Sequence, residues 1–211
     1  MITEKYITSS CLIIDHSVYK NGECVFVNSH ADLPVFLHTV YKQFAINYPR
    51  FYKMDNLCKL GWLASEILLK GSFQKEKYRP EDTGVILANT NGSLDTDMKY
   101  MASTKDIPSP SLFVYTLPNI VAGEICIRNH FKGEDAFFIF ESFPAEFMHQ
   151  YINNLFDNNL LQACICGWVE LLGDEYKAAL FLVEKMKTEE AIDFTIENML
   201  LLFQNKKAEA K

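Results

Sequence analysis

The residues of this chain best suited to chemistry are Glu141 and Ser142, which follow an apolar segment and precede Pro144. A carboxylate that ends a buried strand beside a helix N-terminus is either stabilised by the helix amides or has a raised pKa. A serine hydroxyl becomes a nucleophile only when a base within about 3 Å removes its proton. The pair therefore predicts either an acyl-transfer or hydrolytic site, or a structural turn in which Ser142 caps the following helix.

No histidine is placed by the sequence to act as that base. His149 lies seven residues after Ser142, and seven helical residues span about 10 Å. The other histidines do not have the mutual spacing of metal ligands; they are His16, His30, His38 and His130. The segment GVILANTNG has no phosphate-binding lysine and no G-x-G spacing. We therefore expect neither a metal nor a cofactor.

The six cysteines are scattered without the spacing of a disulfide framework. Cys164 and Cys166 are separated by one residue, whereas zinc sites use a gap of two or more residues and a second ligand pair. We interpret this pair as alternate positions of a buried strand, and the cysteine usage as typical of a reducing cytoplasm.

Length and composition predict one globular domain. The chain has 211 residues, of which 49% are hydrophobic and 22% charged, and this is enough to build a core without metal or disulfides. We assign residues 1–205 to this domain and 206–211 to a frayed tail. A net charge of -7 argues against a nucleic-acid partner. No secretory leader and no membrane-spanning apolar window is apparent, so we expect a cytoplasmic protein without a membrane span.

The elements that would position these residues alternate between strands and helices. Apolar and β-branched runs predict strands at 6–15, 23–27, 83–89, 136–140, 160–171 and 177–184. Periodic apolar residues and capping signals predict helices at about 35–46, 56–71, 93–101, 116–131, 144–156 and 188–204.

This alternation predicts an α/β fold with a mainly parallel sheet covered by helices on both faces. The last two strands are joined by too few residues for a crossover and should run antiparallel. If the hairpin strand at 23–27 is left out, the order is β-α-β-α-β-α-β-β, with five strands in a mixed sheet.

The segment PSLFVYTLPNIVAGEICIRNHFKG at 110–133 resembles the stretch that leads to the nucleophile of β-ketoacyl synthases. Similar pieces in the same order are GVILANTNGSLDTD at 84–97 and CICGWVEL at 164–171. The resemblance covers most of residues 5–187 and implies a thiolase-like fold, corresponding to the N-terminal half of a 3-oxoacyl-[acyl-carrier-protein] synthase without the second half.

The sequence departs from this family at the nucleophile. Family members have a cysteine about nine residues after a glycine that matches Gly133, and this count leads to Ser142. The local sequence is Phe-Glu-Ser-Phe-Pro, in which bulky side chains replace small neighbours. The resemblance implies that Asn119, Phe140 and Phe143 line the substrate site, and the lost thiol excludes thiolate chemistry there.

The resemblance implies an accessory or chain-shaping subunit of fatty-acid, polyketide or aryl-polyene biosynthesis, without condensing activity of its own. The expected partner is a second copy or a complete ketosynthase, joined along the strand at 136–140, and acyl-carrier protein is a possible further partner. One alternative is a serine-dependent acyltransferase or hydrolase that uses Ser142 with a base supplied by a partner. Another is a non-catalytic module that binds a small molecule.

Overall fold

An eight-stranded mixed sheet forms the centre of the protein in a computed structural model that describes residues 4–205. The predicted tail at 206–211 lies outside the described residues. The strands are β1 (Tyr6–Ile14), β2 (Ser17–Lys20), β3 (Glu23–Val27), β4 (Thr83–Asn89), β5 (Asp135–Ile139), β6 (Ala163–Leu172), β7 (Glu175–Glu184) and β8 (Ile192–Asp193). Their spatial order is β3-β2-β1-β7-β6-β4-β5, and β8 pairs with β1.

Helices cover both faces of this sheet. They are α1 (Leu33–Gln43), α2 (Asn56–Leu69), α3 (Leu94–Ser103), α4 (Pro110–Val114), α5 (Ile120–Asn129), α6 (Ala145–Asp157) and α7 (Ile196–Phe203). On one face α2 packs against β1, β6 and β7 and is flanked by α1 and α5; on the other face α6 contacts β6, and α7 contacts β1 and β7. The predicted α/β class and the two-sided cover are therefore confirmed.

The predicted number of strands and their mainly parallel direction are wrong. The sheet has eight strands where six were predicted, counting the strand at 23–27, because β2 and β8 were not predicted; the parallel pairs among the described residues are β4–β5 and β4–β6. The chain turns back after β1 through Asp15 and His16, both with positive φ, so β1, β2 and β3 form an antiparallel meander. The predicted antiparallel pair at 160–184 is present as β6 and β7.

Two predicted helices are shorter than expected. The helix predicted at 116–131 is α5, which spans only Ile120–Asn129 and begins two residues after Pro118; the short helix α4 before it, which Ser109 caps, was not predicted. The helix predicted at 188–204 begins only at Ile196, because β8 precedes it and the Thr195 side chain caps it. The capping hydroxyls satisfy free amides at these starts.

The strand at 135–139 is an edge strand. β5 is the last strand beside β4, and its residues are exposed or half-buried. The expectation that this strand is fully buried is therefore wrong, because only one of its sides is paired and no strand covers the other. Its use as an intermolecular seam stays a prediction.

Candidate functional site

The candidate site lies where the parallel strands β4, β5 and β6 end. Residues 90–92 follow β4, residues 140–144 follow β5, and Glu170 lies near the end of β6. Because the carboxyl ends of parallel strands meet at one edge of a sheet, these three segments come together. This is the position in which open α/β sheets commonly bind ligands.

Glu170 holds the turn after β4. Its carboxylate accepts hydrogen bonds from the backbone amides of Thr90 at 2.6 Å and Asn91 at 3.3 Å, and from the Asn91 side chain at 3.1 Å. Asn89 closes the same turn through two 2.8 Å bonds with the backbone of Gly92. The Thr90 hydroxyl donates to the backbone carbonyl of Glu141 at 3.3 Å. The turn therefore links β6 to the segment after β5.

Sequence reasoning missed Glu170, although a signal was present. In the apolar run CICGWVEL the glutamate is the one charged residue, and charged residues in buried strands are rarely left without partners. The partners themselves are separated from it by 79 and 80 residues, so the sequence pattern alone does not reveal them.

Replacing Glu170 by alanine is expected to release this turn. The amides of Thr90 and Asn91 lose their acceptor, which lowers the free energy of local opening of this turn by about 1–3 kcal/mol. Hydrogen exchange followed by mass spectrometry should show faster exchange across residues 89–93, with β1 unchanged as an internal control. Unchanged exchange in this turn would contradict the assigned role of Glu170.

Glu141 and Ser142 are exposed on the segment between β5 and α6. Within residues 4–205 the Ser142 hydroxyl makes no hydrogen bond. The residue that caps α6 is Pro144, and this helix start has no side-chain capping bond. The prediction that Ser142 caps the helix is therefore wrong, since the chain needs two further residues before the helix begins. The carboxylate of Glu141 does not end a buried strand, because β5 is an edge.

No histidine approaches Ser142 in the described part of the chain. His149 lies on α6, where its Nε2 is 3.0 Å from the side-chain nitrogen of Asn153, one turn further along the helix. The centre of its ring is 5.2 Å from that of Phe194. His16 contacts Phe36 on the other face of the sheet. Within residues 4–205 no histidine therefore lies within hydrogen-bonding distance of the Ser142 hydroxyl, as a general base would have to.

Phe143 fills the space beneath the candidate site. Its ring stacks on Phe203 of α7 at 4.5 Å and lies edge-on to Trp168 at 6.3 Å. Phe140 turns away from it and packs against Phe147 of α6 at 4.9 Å. The side chain at position 143 therefore belongs to the core between the sheet and α7.

Asn119 is the third residue predicted to contact substrate. It is exposed at the start of α5 and makes no capping bond with its side chain. Among the described residues, no contact joins Asn119, Phe140 and Phe143 to one another around a common cavity. Their substrate-binding role, like the catalytic role of Ser142 and Glu141, stays a prediction.

Five cysteines, of which four are buried and Cys126 is partly buried, are poor nucleophiles. Burial raises the pKa of Cys11 and of Cys126 to about 12, and it raises the pKa of Cys58, Cys164 and Cys166 well above the ordinary thiol range. These thiols are protonated near neutral pH, and the thiolate is the reactive form. Within residues 4–205 no group of three histidine, cysteine or acidic residues could hold a metal ion.

Comparison with known proteins identifies the fold. No protein-family model and no curated protein sequence matches this chain. Among solved structures, a ketosynthase in complex with its chain length factor from Xenorhabdus doucetiae matches 98% of this chain and 92% of that chain, with a TM-score of 0.59 and 10% identity. The protein has the ketosynthase fold. The resemblance inferred from residues 110–133 is thus confirmed at the level of fold.

Two further structures with this ketosynthase fold are longer than the present chain. The ishigamide ketosynthase/chain length factor matches 86% of this chain and 62% of that chain, with a TM-score of 0.58 and 16% identity. A ketosynthase bound to a hexaketide, in complex with a type II polyketide synthase acyl-carrier protein, matches 87% and 63%, with a TM-score of 0.61 and 15% identity. The chain therefore spans somewhat over six tenths of these two relatives. No helix in residues 4–205 is long and apolar enough to cross a membrane.

Proposed function

We propose that this protein is a non-condensing, ketosynthase-like subunit that pairs with a complete ketosynthase and helps to shape its acyl chain. The observation that carries this proposal is the match to nearly the whole of a chain in a ketosynthase and chain length factor complex. A polyketide, fatty-acid or aryl-polyene pathway would supply the acyl chain. Acyl-carrier protein would then be a transient partner of the complex.

The exposed surface around β5 supports such a pairing. An edge strand presents unpaired backbone groups that another strand can bind. The Ile139 side chain of β5 is exposed and lies near Gly92, which shortly precedes α3, and large apolar side chains are also exposed on α3, α4 and the adjoining loops. We call this set the β5 face; it comprises Leu94, Met98, Met101, Ile107, Phe113, Val114, Leu117 and Ile139. Apolar surfaces of this kind mark sites of protein association.

The segment after β5 supports the absence of condensing activity. Ser142 stands at the position of the family's cysteine, and within residues 4–205 its hydroxyl has no basic partner. Phe143 packs under it in the core. A serine-dependent acyl transfer would need a base from the partner protein, and the exposed, unbonded hydroxyl of Ser142 is the one observation that favours this second candidate.

A reducing cytoplasm is the compartment that fits the thiols. All six cysteines are free, and four of them are buried in the core. Buried free cysteines persist where thiols are kept reduced.

The pairing is tested by measuring mass in solution. Light scattering at micromolar concentration should show the 24.3 kDa chain as a dimer, or as an equimolar complex when it is co-expressed with a ketosynthase of the same cell. A monomer both alone and after co-expression with each such ketosynthase would contradict the proposal.

A further inference from the structure

A pocket of about 400 Å³ opens at the amino end of β4. The candidate functional site lies at the carboxyl end of the same strand, so the two are separate. The pocket has an aromatic floor formed by Phe73, Tyr78 and Phe131, and Thr83 lies among them. Its volume suits a single small molecule.

The aromatic floor is held in place by its contacts. The rings of Phe73 and Tyr78 are stacked with their centres 5.2 Å apart, and Phe131 stands edge-on to Phe73 at 5.6 Å. The Tyr78 hydroxyl donates to the buried carboxylate of Glu184 at 2.6 Å. Because these two rings cover each other's inner faces, a planar ligand can pack against an outer face or the edges of the pair.

Thr83 supplies a polar group without a partner. The residue is 1% exposed, and within residues 4–205 its hydroxyl makes no hydrogen bond. It shares its side of β4 with Val85 and Leu87, which face the cluster that contains Phe73 and Phe131. A buried hydroxyl destabilises a fold unless something bonds to it. Its place in the pocket points to a ligand or a water as that partner.

Two cationic side chains, those of Lys75 and Arg79, line the pocket together with His130 and the carboxylate of Glu76. Arg79 is engaged by Asp82 through bonds of 2.9 and 2.7 Å, whereas Lys75 makes no ion pair within residues 4–205. The ammonium of Lys75 is therefore available to an anionic group at the mouth.

We propose that this pocket binds a small aromatic carboxylate that carries a hydroxyl on its far side. The ring lies against Phe73 and Tyr78, the ligand hydroxyl bonds to Thr83, and the carboxylate faces Lys75. This inference is independent of the proposed pairing with a ketosynthase, because it uses neither β5 nor the β5 face.

Isothermal titration of the full chain with three probes tests the proposal. The probes are 4-hydroxybenzoate, benzoate, which lacks the distal hydroxyl, and 4-hydroxybenzylamine, which reverses the charge. Saturable binding of 4-hydroxybenzoate is expected with a Kd below about 1 mM, with benzoate weaker and the amine weakest. No saturation by 4-hydroxybenzoate, or equal binding of the amine, would overturn the proposal.

Variants identify the two contacts. Thr83→Val keeps the shape of the side chain and should weaken the binding of 4-hydroxybenzoate about tenfold. The binding of benzoate should not change, and the melting temperature of the free protein should rise. Lys75→Gln should weaken the binding of both acids about threefold. Lys105→Gln, at an exposed lysine after α3, should leave the binding of both acids unchanged. If Thr83→Val does not fold, the difference between the two acids on the unaltered protein decides, and equal affinities would refute the contact with Thr83.

Discussion

Replacing Gly167 by alanine is expected to leave the chain without a stable sheet. Gly167 has a φ of 146°, and a Cβ built there would lie 2.0 Å from the carbonyl oxygen of Ala179. That oxygen belongs to β7, which pairs with β6 at this register. Neither backbone can move without breaking the central pair of strands. The loss should reach roughly 4 kcal/mol or more, a large part of the 5–15 kcal/mol that typically stabilises a domain.

Urea denaturation followed by circular dichroism measures this effect, and Gly123→Ala serves as the matched control. Gly123 lies within α5, and a Cβ added there meets no atom within 4 Å. Alanine should therefore stabilise the helix by roughly 0.5–1 kcal/mol. A Gly167→Ala protein that unfolds at the same urea concentration as the unaltered chain would show that β6 and β7 do not pair as described.

Replacing Ile139 by lysine is expected to abolish the pairing with a ketosynthase. Ile139 is 55% exposed at the end of the edge strand β5, so the substitution should not disturb the fold. A lysine there places a charge where the partner strand would pack, and charged edge residues oppose strand pairing. Loss of one central apolar contact together with a desolvated charge should weaken binding about 100-fold, equivalent to about 2.7 kcal/mol.

The control for this prediction lies on the opposite edge of the sheet. Val25 of β3 is 42% exposed, and Val25→Lys should leave the ketosynthase complex intact. Surface plasmon resonance with the immobilised ketosynthase compares the two variants. Equal losses for both, or full binding by Ile139→Lys, would exclude β5 as the seam.

Local sequence patterns were sufficient to predict those helices and strands whose apolar periodicity and capping residues lie within one segment. The apolar run of β4 and the amphipathic repeat of α2, with its Asp55 cap, appear at the predicted places. The short helix α4 was missed, and the start of α5 was predicted four residues too early, because a proline in the first turn of a helix and a proline before a helix give similar patterns. The insertion of β7 between β1 and β6 depends on contacts between distant segments, which periodicity does not record.

The candidate site was predictable in position but not in detail. The count from Gly133 placed Ser142 on the segment between β5 and α6, where it lies. The stack of Phe143 on Phe203 joins residues 60 positions apart, and the bonds from the turn after β4 to Glu170 join residues about 80 apart. Such contacts form only once the sheet has assembled, so no local sequence motif predicts them.

Acyl transfer by the purified complex with its ketosynthase measures directly whether this chain contributes a nucleophile. The rate of acyl transfer is compared for complexes that contain the unaltered chain, Ser142→Ala or Glu141→Gln. A complex whose ketosynthase lacks its own catalytic thiol is the inactive reference. We predict that Ser142→Ala and Glu141→Gln retain the full rate. A fall of about 100-fold or more on removing the Ser142 hydroxyl, a loss typical of a catalytic group, would show that the serine acts as a nucleophile and that the subunit is an enzyme in its own right.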